Sequence, residues 1–396
     1  MEDLLFWSSV LLYAAFVLYF ISTVLFAATI KDKRHEKKFT KLHLLALSTT
    51  IIGFLTQLSY FITRWIASGH APVSNMFEFV TFFSMMLVLA FVILYFIYRI
   101  EMLGLFALPV TLVIIGYASV FPQEISPLVP SLKSHWLYIH VTTVALGEAI
   151  LAVSFVAGII YLIKQISQER LTGRNFLLEV IIYSIFSAIG FAVISWGFTL
   201  ADYSATFELE VDEQQVEMEY TLPAIIGPYN GTLITENKMD GIIPAPEWLH
   251  GVEASKKLNT LVWSLLVGLV LYGITLLILK KRVAKAIQPL LNKANPELLD
   301  EVCYRAVAIG FPVFTLGGLI FAAIWAQEAW NRYWGWDPKE VWALITWFFY
   351  AIFLHLRLTR GWHGEKSAWL AVVGFAIIMF NLIVVNLVLA GLHSYA

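Results

Sequence analysis

The chain has 396 residues, of which 15% are aromatic and only 14% charged, with a mean hydropathy of +0.76 and a formal net charge of −2. That balance excludes a soluble enzyme with an ordinary polar surface, and no nucleic-acid partner is expected; it fits an all-α integral membrane protein. A single cysteine, Cys303, excludes a disulfide or an internal dithiol relay, so any thiol chemistry must use a partner's thiols.

Ten apolar stretches are long enough to cross about 30 Å of hydrocarbon at 1.5 Å per residue. They run roughly over 4–30, 42–66, 76–98, 103–121, 137–163, 177–200, 259–279, 305–327, 341–357 and 368–390. The first lacks a basic leader and is too long for a signal-peptide core, so it reads as a retained span. Lys and Arg collect in alternate connections, 19 of 26 on one side, and by the positive-inside rule that side is cytoplasmic, with both chain ends outside. The sequence then divides into an N-terminal six-span bundle (1–200), an acidic extracytoplasmic insert (201–258), a further span with a basic cytoplasmic loop (259–304) and a C-terminal core (305–396). In the insert, TFELEV and QQVEMEYTLP alternate apolar and polar residues as short strands do, and 11 acidic residues face 3 basic ones. A piece of this size needs to rest on the membrane part for stability.

The C-terminal core carries WAQEAWNRYWGWDPKEVWALITWFFYAIFLH, from Trp325 to His355. Asp337-Pro338-Lys339-Glu340 predicts a helix start, with Asp337 at the N-cap, Pro338 at the first helical position and Glu340 closing a capping box. Its positive dipole end then points at a Trp-rich turn, where an anionic ligand group is favoured. Six tryptophans fall in the stretch, at 325, 330, 334, 336, 342 and 347. An interfacial aromatic belt explains any one of them, but a belt does not need an acid and a proline threaded through it. Ionisable residues inside spans default to functional roles: Glu148 lies two turns below His140, Glu328 precedes the Trp turn, and Glu78 sits just inside the third span, each with a hydrogen-bonding role in the bundle as the alternative. Asn381 and Asn386 read as interhelical glue. Of nine histidines, His35, His43 and His363 lie in or beside basic cytoplasmic segments, and His70, His135 and His250 lie in outer loops. His140 and His393 fall at the outer boundary, and His355 about 13 residues into the ninth span. Two imidazoles at one level beside a Trp-rich turn suit haem iron better than zinc, which wants more ligands.

These residues carry a resemblance. The segment TLGGLIFAAIWAQEAWNRYWGWDPKEVWALITWFFYAIFLHLR resembles the WWD signature of the CcsA or ResC family of cytochrome c biogenesis proteins of the System II pathway, and PVSNMFEF, SLKSHWLYIHVTTVALG and GLHSYA agree with it. The resemblance implies a membrane protein of the cytoplasmic (inner) or a thylakoid-type membrane that receives haem b from the cytoplasmic side. It implies that the haem is held at the outer face and presented to the reduced Cys-X-X-Cys-His of apocytochrome c for thioether attachment. The chain would be one subunit of a cytochrome c haem lyase, active with a ResB/CcsB-type membrane partner in a lipid bilayer. By position, His140 and His393 resemble the external haem ligands, Trp330, Trp334, Trp336 and Asp337 the haem-contacting loop, and His355 the buried histidine of haem transit; His140, His393 and Asp337 are the candidates for catalysis. The family has eight spans, so 177–200 and 259–279 with the insert count as additions, and Glu148 stands where a tyrosine is expected. The rival expectations are a haem or amphipath transporter without ligation activity, a scaffold for the partner, a haem-bearing redox subunit, or a CcmF-like protein of the other maturation pathway.

Overall fold

Inside a bilayer the backbone has no water to bond, so apolar stretches of this length fold as helices. The computed structural model describes residues 2–31, 41–125, 133–211, 214–236, 238–246 and 254–385, and among them ten helices are long and apolar enough to cross a membrane. In chain order they are α1 (Glu2–Lys31), α2 (Lys41–Ser68), α3 (Met76–Tyr98), α4 (Glu101–Ala118), α5 (His135–Gln165), α6 (Gly173–Leu200), α7 (Ala254–Leu279), α8 (Pro296–Trp330), α9 (Pro338–Arg360) and α10 (Glu365–Val385). All ten expected spans are present. The largest boundary difference is in α8, which starts nine residues before its apolar run, because Asn295 caps the amide of Leu298 and Pro296 takes the first helical position. Hydropathy registers where a helix meets lipid and is blind to such a polar extension.

The chain forms two compact units, Met1–Asn175 with Ala284–Ala396, and Phe176–Val283. In the larger unit α5 is the most enclosed helix, with 83% of its apolar window buried. It packs on α8 through glycines. A Cβ at Gly147 would lie 2.6 Å from the backbone nitrogen of Phe314, and one at Gly317 would collide with the backbone nitrogen of Val144. Without a hydrophobic drive between helices in lipid, such close backbone approach is what holds two spans together. At its centre α8 opens into a π-helical turn, Leu316–Phe321, and α10 ends in a second one, Phe380–Val385.

The smaller unit joins α6 and α7 at another glycine crossing, where a Cβ on Gly190 would lie 2.6 Å from the nitrogen of Gly268. The Tyr272 hydroxyl donates to Glu179 at 2.6 Å, which satisfies a carboxylate inside a span. Between the helices stands the expected strand-containing insert. β1 (Ala205–Val211) pairs antiparallel with β2 (Gln214–Tyr220) and β4 (Gly231–Leu233), while β3 (Ala224–Ile226) pairs parallel with β5 (Asp240–Ile243). Phe207, Leu209 and Tyr220 form its buried centre. Asn259 of α7 accepts from the amides of Ile225 and Ile226 and donates to the Ile226 carbonyl, fastening the insert to its membrane helix.

Candidate functional site

An open cavity lies in the larger unit beside the Trp-rich turn. Its walls come from the α2–α3 loop, the start of α3, α5, α8, the turn itself, α9 and α10. Its lining is mostly apolar with a few convergent polar groups, which is the character of a ligand site.

The loop wall is set by a buried ion pair. Glu78 accepts from Arg64 Nε at 2.8 Å, with both side chains almost fully buried. Its other oxygen accepts from the Ser74 amide at 3.0 Å and the Ser74 hydroxyl at 2.7 Å. Asn75 caps α3 by accepting from the Glu78 amide, so Val73 to Met76 are fixed against the cavity. Glu78 is therefore a positioning residue for this wall, which matches the structural alternative for it.

The α5 wall carries His140. Its Nδ1 lies 2.8 Å from the carbonyl oxygen of Gly317, inside the π-turn of α8. A carbonyl only accepts, so Nδ1 carries the proton and the lone pair belongs to Nε2, the arrangement a metal-binding imidazole requires. The ring stacks on Trp325 at 5.5 Å and 13°, and Trp325 in turn meets Trp330 edge-on at 4.8 Å. The π-turn serves this geometry. By inserting a residue into the helical repeat it turns Gly317 toward α5 and rotates the following turn, which carries Trp325, relative to an uninterrupted helix.

The Trp-rich turn ends in the expected capping box: the Asp337 side chain accepts from Lys339, and Glu340 accepts from the Asp337 amide. Glu340 also takes the Gly335 amide, at 2.7 Å. It thus grips both neighbours of Trp336, whose backbone stands in the left-handed region at φ 57°. That conformation costs a bulky residue about 1–2 kcal/mol, and it turns the indole outward, 70% exposed. Trp334 lies on the cavity wall, and its indole N–H is buried without a hydrogen-bond partner among the described residues.

The structure thus brings His140 and Trp334 to one cavity, with Trp330 behind Trp325. Trp336 points away, and Asp337 serves the helix start. His393 lies outside the described residues. His355 is on the exposed side of α9, in a stripe with Ile345, Phe348 and Ile352, and its nearest side-chain partner is Thr359, 3.4 Å away. It is not buried within the described chain, because α9 lies at the edge of its unit with only 22% of its apolar window covered. Two dismissed histidines are buried: His43 pairs with Glu101 at 2.9 Å, and His70 lies against the Ala71 carbonyl. Neither lines the cavity. Glu148 does, as do Lys339 and Asn381. Residue type alone did not mark Gly317, Lys339 or Asn381 as site residues. Trp325, one of the six clustered tryptophans, and Lys339, beside the helix start, had a local signal.

Among the described residues no group of three or more His, Cys, Asp or Glu side chains comes together to hold a metal ion. The cavity offers one described imidazole in an aromatic wall, which fits a metal that brings its own equatorial ligands.

Residues 73–202 and 258–393 match the family described as cytochrome C assembly protein. The match runs through both spans counted as additions, so they belong to the family's pattern; it leaves out 1–72 and, between its two parts, 203–257. Among curated proteins, the cytochrome c biogenesis protein CcsA of Gloeobacter violaceus is 31% identical over 96% of this chain and 94% of the relative. Those of Cyanophora paradoxa and Trichormus variabilis are 30% and 33% identical over 96% and 84% of the chain, and over 95% and 82% of the relatives. The chain belongs to the cytochrome c assembly protein family, in its CcsA group.

Proposed function

We propose that this protein acts in cytochrome c biogenesis by holding haem b in the cavity beside the Trp-rich turn and presenting it to apocytochrome c. The observation that carries the reading is the His140 imidazole, its tautomer set by Gly317 and its face set by Trp325. Haem supplies the vinyl groups that become thioether linkages. His140 would supply one nitrogen ligand to the iron, and His393 is assigned a second on the strength of the family resemblance. Trp325 and Trp334, with Trp330 packed behind Trp325, would form an aromatic wall that excludes water and orients the ligand. The helix start at Pro338 and the Lys339 ammonium favour carboxylates at its edge. Attachment is then chiefly positioning, with a reduced Cys-X-X-Cys-His segment brought to contact distance of the vinyl groups. Each S–H adds across a C=C bond, sulfur to one carbon and hydrogen to the other, with no net oxidation. Because Cys303 is buried, the thiols are the cytochrome's own.

His355, exposed on α9 where an imidazole is costly against lipid, is assigned to a site completed by a ResB/CcsB-type partner, on the route by which haem arrives from the cytoplasmic side. The test is maturation of a reporter cytochrome c in a host lacking its own pathway, supplied with this chain and a ResB/CcsB-type protein. Holocytochrome is expected with the wild type and lost with His140→Ala. Equal yields from both would refute the assignment.

A further inference from the structure

Asn381 has no described use in the fold. It sits in the π-helical turn of α10, is 6% exposed, and lines the cavity. Among the described residues its Oδ1 has no hydrogen-bond partner. A buried polar group left unsatisfied costs about 1–3 kcal/mol, and an asparagine that served as interhelical glue would bond across a helix interface. A second group in the same space is in the same position: the Trp334 indole N–H, which can only donate. Lys339, the one Lys or Arg among the described residues lining the cavity, shares that space with the Glu148 carboxylate, with which it interacts electrostatically. Phe380 packs on Trp342 at 4.3 Å, so Asn381 lies at the level of a residue about one helical turn deeper along α9 than Lys339.

An indole N–H, an ammonium and an amide that presents its own N–H groups by rotation about its last bond share one complement, an anionic acceptor. We propose that Asn381 contacts the ligand, and that with Trp334 and Lys339 it hydrogen-bonds the carboxylate edge of an amphipathic tetrapyrrole. The proposal rests on the haem reading for its ligand class, and it assigns recognition of the rim separately from ligation of the metal. The cavity then selects a free-acid porphyrin over its ester.

Iron-free probes separate the two. The full chain in detergent is titrated with protoporphyrin IX and with its dimethyl ester, followed by porphyrin fluorescence, for wild type, Asn381→Leu and Trp334→Phe. Ligand-free melting temperatures are measured alongside. The wild type is expected to prefer the free acid. Asn381→Leu should weaken free-acid binding roughly five- to hundredfold, leave the ester nearly unchanged, and leave the ligand-free melting temperature unchanged or raised. Trp334→Phe, which removes the N–H and keeps an aromatic ring, should narrow the preference in the same direction. An unchanged acid-over-ester preference in both variants overturns the proposal, and a fall in ligand-free melting temperature in Asn381→Leu with that preference intact makes the amide structural. Haem binding that depends on His140, beside an unaltered preference, leaves the haem reading standing without this inference. Asn381-dependent porphyrin binding with no His140-dependent iron spectrum does the reverse. A wild type that binds neither porphyrin overturns this inference, and the His140-dependent haem spectrum then decides the haem reading separately.

Discussion

His140 Nδ1 lies 2.8 Å from the carbonyl oxygen of Gly317, a contact across 177 residues of sequence that exists because α5 and α8 approach without a side chain between them. Gly317→Ala places a methyl group against the backbone of Val144. Overpacking of this kind costs about 1–3 kcal/mol, so the variant should unfold at lower temperature in detergent. Because the helices must part, it should also lose haem affinity while retaining His140. A variant with wild-type melting and wild-type haem spectrum would show that the glycine contact does not hold the imidazole.

The Arg64–Glu78 pair is buried on both sides and fixes the loop wall of the cavity. Removing one partner leaves an uncompensated buried charge, which costs about 3–5 kcal/mol. Glu78→Leu and Arg64→Met should each destabilise by that order, and the double variant by clearly less than their sum. Thermal unfolding of all four proteins checks it; additive losses would mean the two groups act independently.

Trp336 is held in a left-handed conformation between two amides that Glu340 accepts. Trp336→Gly removes the strain and should stabilise the apoprotein by about 1 kcal/mol. If the outward indole meets the arriving cytochrome or the partner, the same variant lowers holocytochrome yield. Glu340→Ala loses the capping box and should destabilise by about 1 kcal/mol. A Trp336→Gly protein that melts lower than wild type would contradict the strain argument.

In the insert Glu208 stands directly opposite Glu217 across the β1–β2 ladder. Like charges so placed repel, and Glu217→Lys should stabilise the insert by about 0.2–1 kcal/mol. Protection of the β1 and β2 amides against hydrogen exchange should rise. Lower protection would show that the carboxylates have another task in holding the sheet.

The spans were legible because a bilayer leaves an apolar stretch one option, and the start of α9 was legible because Asp337, Pro338 and Glu340 specify it locally. The insert's strands showed in their alternation. The shape of the site was not legible. The π-turns interrupt the regular helical repeat, so the facing of Gly317 and Trp325 toward His140 could not be read from their spacing. Asn381 reads as glue until the described residues around it are seen to leave its Oδ1 without a bond. Glu78 and Glu148, alike as acids inside spans, part only when one is found paired with Arg64 and the other on the cavity wall.

The measurement that bears most directly on the central claim is the absorption spectrum of the detergent-purified protein, co-expressed with a ResB/CcsB-type partner, for wild type and His140→Ala, with and without added imidazole. A low-spin haem spectrum in the wild type, lost in the variant and partly restored by imidazole, is the expected result. A variant spectrum identical to the wild type, or a wild type without haem, would contradict the assignment of this cavity to haem.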